Sequence, residues 1–109
     1  MIIELRKYRL KPGRREDFIR YFEDTNRRVL RDAGMRVFGP LRDLDDPDVV
    51  HWSRAFDSLA HRDAVKDAFY DGPVWAEIEP IVMPMIETFE ASVVETTQGF
   101  EGFDGSVML

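Results

Sequence analysis

Two short alternating runs hold the side chains best suited to chemistry. The run IIELRKYRL at 2–10 carries Glu4, Arg6 and Tyr8 at every second position, and VVHWSRAF at 49–56 carries Trp52, Arg54 and Phe56 in the same way. In an extended chain alternate residues share a face, so each set is presented on one surface. A guanidinium placed there can bind a carboxylate, phenolate or enolate, and can stabilise negative charge that develops in a reaction. Tyr8 can donate or relay a proton. Three large rings with two Arg and one Glu make neither an ordinary core nor an ordinary wet face. A charge buried among them must be paired, or it costs on the order of several kcal/mol; Glu4 with Arg54 or Arg6 is the natural pair. Mostly apolar concave surfaces with a few convergent polar groups are typical of small-molecule sites. The competing reading is a dimer interface stitched by ion pairs, with no ligand.

A third cluster is AFYDGPVW at 68–75. Gly72 ends a helix and Pro73 opens the next turn. Phe69 falls on the core side, which leaves Tyr70 and Trp75 free to lean outward. They form either the rim of a pocket or a corner that locks helix to sheet. A Tyr hydroxyl or Trp N–H buried there needs a partner. The candidate ligand-binding set is therefore Glu4, Arg6, Tyr8, Trp52, Arg54, Phe56, Tyr70 and Trp75.

Other chemistries find less support. There are two His and no Cys, so disulfides, thiolate metal sites and a Cys nucleophile are excluded. His51 lies on the smaller strand face and reads as structural, with a haem ligand or general base as the functional alternatives. His61 falls in the first turn of a helix and reads as exposed. Neither stands at metal-ligand spacing with carboxylates, and no phosphate-binding glycine loop or nucleophile elbow is visible. Asp43, Asp45, Asp46 and Asp48 lack the Gly and Glu of an EF-hand and read as a solvated turn. Met83, Met85 and Met108 read as packing. No metal and no cofactor are expected.

The elements that must position these residues follow from periodicity and breakers. Residues 2–10 form a strand closed by Lys11-Pro12-Gly13. Residues 14–33 form an amphipathic helix with Phe18, Phe22, Asn26, Val29 and Ala33 on one side, ended by Gly34. Residues 35–44 form a second strand with a bulge or edge feature at Gly39-Pro40. Residues 49–56 form a third strand. A second long helix is capped by Asp57 or Ser58, with Leu59, Arg62 (through its stem), Val65, Ala68 and Phe69 as contacts. A short helix over 73–79 stops at Pro80, because Pro80 and Pro84 oppose a regular continuation. Residues 86–95 form the fourth strand. The domain is 1–98, and 99–109 is an irregular Gly-rich tail that docks on a neighbour through Phe100 and Phe103 or frays.

The order is β-α-β-β-α-β, the ferredoxin-like α+β unit with a four-stranded antiparallel sheet. Its helices cover one face. The strand-three face with Val49, His51, Ser53 and Ala55 is the smaller and leaves room for a helix. That would leave Glu4, Arg6, Tyr8, Trp52, Arg54 and Phe56 on the uncovered side, and a second copy is the economical cover.

With 109 residues, 44% hydrophobic and 33% charged, the chain is one folded domain rather than a disordered segment. Residues 1–42 carry twelve Lys/Arg against six Asp/Glu, and residues 43–109 three against fifteen. The two halves attract each other, within a chain or across a homodimer. The pI of about 4.9 opposes a nucleic-acid partner. No apolar run approaches the roughly 20 residues of a membrane span, and charges at Glu4, Arg6 and Lys7 come too early for a signal-peptide core. A cytoplasmic homodimer with no nucleic-acid or membrane partner is expected.

Three stretches together resemble one family. ELRKYRLKPGR at 4–14 is similar to the opening of NIPSNAP-like proteins. LRDLDDPDVVHWSRAFDSLAHR at 41–62 carries that family's Trp-x-Arg-x-Phe pattern at Trp52, Arg54 and Phe56. AFYDGPVW resembles the AFY-x-GPVW segment of a bacterial branch. The resemblance implies a ferredoxin-like unit that dimerises into an α+β barrel, an architecture that also hosts cofactor-free monooxygenases, isomerases and cyclases and haem-binding proteins. Fold alone does not choose among these. Two features depart from the family. His51 stands where relatives are usually apolar, and Ile78 and Met83-Pro84-Met85 occupy a region where relatives often carry His and an Asn-Ala-Thr stretch. The functional expectation is a protein that binds a small aromatic or hydrophobic anion, with cofactor-independent monooxygenase, isomerase or cyclase chemistry open to it; the alternative is a non-catalytic dimerisation or interaction module.

Overall fold

The computed structural model describes residues 1–100. Along the chain run β1 (Ile2–Leu10), α1 (Arg15–Tyr21), α2 (Arg27–Asp32), β2 (Arg36–Arg42), β3 (Val49–Phe56), α3 (Leu59–Tyr70), α4 (Pro73–Val82) and β4 (Ile86–Glu95). All pairings are antiparallel, in the order β2-β3-β1-β4. This is the expected ferredoxin-like sheet, with β1 and β3 at its centre. Glu4 stands opposite Arg54, and Arg6 opposite Trp52. Phe103 and the rest of the tail beyond residue 100, expected either to dock on a neighbour or to fray, lie outside the described residues.

The helix expected over 14–33 is interrupted. A π-helical turn, Phe22–Asn26, joins α1 to α2. Phe18, Phe22, Asn26 and Leu30 are all buried, at a constant spacing of four. In a regular α-helix that spacing drifts around the axis by about 40° per step. The wider turn takes up the drift and keeps the four on the sheet.

The helix expected to stop at 79 continues to Val82 with Pro80 inside it. Proline's fixed φ is already helical, so the loss is confined to one hydrogen bond and some crowding near the carbonyl of Ala76. Buried Ile78 and Val82 sit one turn apart on the core side, with Pro80 exposed between them. Their packing outweighs the local loss. Met83–Met85 then make a single 3-10 turn into β4.

The two faces of the sheet are the reverse of the expectation. The helices cover the side with Glu4, Arg6, Tyr8, Trp52, Arg54 and Phe56. Phe18 lies 5.7 Å from Tyr8 and Phe22 lies 5.0 Å from Trp52, between ring centroids. Room for a helix was the wrong criterion. The apolar stripes of the helices need large apolar partners, and the big rings remove the most area from water. The bare side carries Leu5, Lys7, His51, Ser53, Glu90 and Ser92, around a shallow cleft of about 300 Å³.

Ion pairs such as Arg9–Asp46 (2.8 Å) and Arg36–Asp57 (3.1 Å) cross between the basic and acidic parts of the chain, as the intramolecular reading anticipated. Among the described residues no helix is long and apolar enough to cross a membrane.

At Gly39 the pairing of β2 with β3 shifts register, the irregularity expected at Gly39-Pro40. Its φ is +110°, and a Cβ there would meet the Trp52 Cβ at 3.0 Å and its Cα at 3.1 Å. Gly39→Ala therefore combines left-handed strain with a backbone contact. It is expected to destabilise the fold by about 2 kcal/mol or more, read as a lowered urea midpoint. An unchanged midpoint would show that the strand edge yields freely.

Candidate functional site

The central strands point their charges at the helices. β1 supplies Glu4, Arg6 and Tyr8, and β3 supplies Arg54 directly across from Glu4. Successive turns of α3 bring Arg62, Lys66 and Tyr70 over them, since residues four apart lie on one helical face. The Asp71-Gly72 turn is tight: a Cβ at Gly72 would stand 2.9 Å from the Ala68 carbonyl. It swings α4 round so that Trp75 meets Tyr70 edge-on at 5.0 Å. β4 reaches past the helices, leaving Phe89 and Val93 half-exposed. These elements border an open cavity of about 450 Å³. One wall is charged and phenolic; the other is Trp75, Met83, Ile86, Phe89, Ala91 and Val93.

Glu4 is fully buried and holds the charged wall together. Its Oε1 accepts from Arg6 Nη1 and from Arg54 Nε (2.9 Å). Its Oε2 accepts from Arg62 Nε (2.7 Å) and has Lys66 Nζ at 3.8 Å. Burial by itself pushes the Glu4 carboxyl up. The Arg54 charge, the hydrogen bonds from Arg62 and Arg54 and the Arg6 charge more than reverse this and hold it at about 2.

The two phenols complete the wall. Tyr8 Oη accepts from Arg6 Nε (3.2 Å) and Nη2 (3.1 Å), and Tyr70 Oη accepts from Arg54 Nη1 (3.0 Å). Burial raises the Tyr8 pKa, against the opposing pull of Arg6. The Arg6 guanidinium also lies 5.3 to 5.6 Å from the ring centroids of Trp52, Tyr8 and Phe89. Such contacts attract the guanidinium to the aromatic rings around it.

Six of the eight candidate residues line this one cavity: Glu4, Arg6, Tyr8, Arg54, Tyr70 and Trp75. Trp52 and Phe56 do not. Trp52 is 4% exposed and packs behind the two guanidiniums, and Phe56 is 1% exposed and lies against His61. Alternation placed them on the correct face but could not tell floor from wall. Arg62, read only as a packing stem, and Lys66 are the functional side chains that sequence reasoning missed. Their four-residue spacing from Tyr70 was the available signal. His51 points to the bare face, where its Nε2 lies 2.8 Å from Asp43 Oδ2. Asp43 is held at about 2 by that contact, then by the backbone N–H groups of Asp45 and Asp46. The Asp run is thus an internally bonded turn, remote from the cavity. Among the described residues no three His, Cys, Asp or Glu side chains gather as a metal site.

The sequence profile of the NIPSNAP family matches residues 3–98. No functionally curated protein matches the sequence. Among solved structures, an uncharacterised NIPSNAP domain protein from Burkholderia xenovorans is 22% identical, covering 93% of this chain and 99% of its own, with a TM-score of 0.84. A NIPSNAP family protein with unknown function from Agrobacterium tumefaciens is 23% identical, covering 92% and 91%, at 0.82. A Chloroflexus aurantiacus protein provisionally named an antibiotic biosynthesis monooxygenase is 19% identical, covering 93% and 98%, at 0.62. At these identities the likeness is one of fold.

The Glu4 cluster makes stability depend on pH with a definite sign. A carboxyl held at about 2 instead of its ordinary 4.5 favours the folded state in its charged form. The contribution, roughly 3 kcal/mol, is present above about pH 4.5 and is lost as pH falls towards 2. The difference in urea stability between wild type and Glu4→Gln should therefore be constant near neutrality and shrink across that window. A difference that stays constant down to the acid end would contradict the assignment.

Proposed function

The chain belongs to the NIPSNAP family, and we propose that it binds a small aromatic or hydrophobic anion in the cavity between its sheet and helices α3 and α4. One observation carries this reading. Arg6, Arg54, Arg62 and Lys66 converge on a single carboxylate. Among the described residues, Asp63 offers a second only on the outer side of Arg62, at 3.2 Å. Partly desolvated positive charge in excess favours an incoming anion, because the site lacks its full complement of negative partners. The opposite wall is apolar and aromatic, which suits a ligand with a charged head and a flat or greasy body.

The same wall supports stabilisation of an oxyanion that develops during a reaction, the feature a cofactor-independent oxygenase, isomerase or cyclase would need. A reaction that begins by removing a proton also needs a base. Among the described residues, the one carboxylate lining the cavity is held at about 2 and engaged by four cations. Binding is therefore the activity that the site supports most directly, and turnover would have to draw on charge stabilisation.

A second copy of the chain is proposed on the bare sheet face, where exposed Leu5, Leu41 and Val94 are interleaved with Lys7 and its cross-strand neighbour Glu90. Sedimentation should give a homodimer for the wild type and a monomer for Leu5→Asp. Retention of the dimer in that variant would move the interface elsewhere.

Calorimetric titration with a naphthoate tests the cavity. We expect saturable binding that weakens roughly tenfold in Arg62→Met and again in Lys66→Met, the loss of a charge-assisted hydrogen bond or a close charge in each case. Both side chains are partly exposed, so the fold should tolerate the changes. Affinity unchanged in both variants would contradict the site.

A further inference from the structure

Among the described residues the polar wall of the cavity is rich in donors and poor in free acceptors. Both oxygens of Glu4 are occupied, Oε1 by two arginines and Oε2 by Arg62 with Lys66 close by. A phenol oxygen has two lone pairs, and both on Tyr8 are taken by Arg6. The Tyr8 proton must therefore point away from Arg6. Tyr70 accepts one bond from Arg54, which leaves it one lone pair, and guanidinium and ammonium groups cannot accept at all. Burial also keeps Tyr8 in its protonated, donating form.

This arrangement discriminates between the two states of a weak acid. A neutral phenol or enol would bring its own O–H to a wall dominated by donors, where Tyr70 keeps one lone pair, and it would leave the excess positive charge unanswered. Its anion presents free lone pairs to the phenols and negative charge to the cations. The excess of cations, and the preponderance of donors, thus favour the anion.

Building on the anion-binding reading, we infer that the cavity takes weak oxygen acids, phenols or enols, as their anions and releases the proton on binding. The ligand O–H bond breaks, its electron pair stays on the ligand oxygen, and the proton passes to bulk water. Arg62 and Lys66 are partly exposed and mark the solvent side of the charged wall. No protein base is required, since water and buffer accept the proton. An enolate or phenolate held this way is electron-rich at carbon and so is primed towards electrophiles.

A chromogenic acid reads this directly. Para-nitrophenol is titrated against the full-length protein across a pH series, following the yellow phenolate band, with equilibrium dialysis to count bound ligand. The bound ligand should ionise roughly one to three pH units below the free one. Tyr8→Phe and Lys66→Met should each bring the midpoint back towards the free value. Dialysis showing bound phenol with no growth of the yellow band would overturn the inference while the cavity remains a binding site. Naphthoate binding without nitrophenol binding would show that the ligand class is wrong. Binding of neither would remove the anion-binding reading itself.

Discussion

One buried carboxylate organises this protein. Glu4 lies in the middle of the central strand and is reached from β1, β3 and two turns of α3. Without it, four cations would crowd one cavity wall with nothing to hold them there. With it, they are fixed, yet they outnumber it. A fully neutralised cluster would be closed to an anion, and an unpaired set of arginines would not stay buried. The intermediate condition leaves a structure that folds and a wall that still attracts negative charge.

The remaining architecture follows from placing that carboxylate between sheet and helices. The antiparallel order puts β1 against β3, so Glu4 and Arg54 meet by register rather than by chance rotamers. The aromatic layer of Tyr8, Trp52, Phe22 and Phe18 supports the guanidiniums from behind. The tight Asp71-Gly72 turn sets Trp75 against Tyr70 and so gives the cavity its aromatic side. AFYDGPVW is accordingly both a corner and a rim: Phe69 packs inward, and Tyr70 and Trp75 border the cavity.

Much of this was legible in the sequence. Strand alternation sorted the faces of β1 and β3, Gly34 and Gly72 marked the ends of helices, and Gly39 marked the irregularity in β2. The pairing of Glu4 with Arg54 or Arg6 followed from the demand that buried charge be matched, and the structure makes both pairs. What failed to read were features set by tertiary packing. Pro80 looked like a stop because the local rule knows nothing of Ile78 and Val82 gripping the core. The π turn at Phe22–Asn26 emerges only when four-residue spacing must stay in line with a flat sheet. The choice of covered face was misjudged because side-chain size was taken as an obstacle, when the area it buries is the driving force. Arg62 and Lys66 escaped because a charged helix face reads as solvated until a carboxylate is known to lie beneath it.

The most direct measurement is a crystal structure of the protein soaked with a bromine-substituted aromatic acid, located by the anomalous signal of the bromine. The predicted result is bromine against Trp75 and Phe89, with the acid oxygens within hydrogen-bond distance of Arg54, Arg62 or the Tyr70 hydroxyl. Bromine found only on the bare sheet face near His51, or no ordered bromine while the soaked acid is at saturating concentration, would contradict an anion site organised by Glu4.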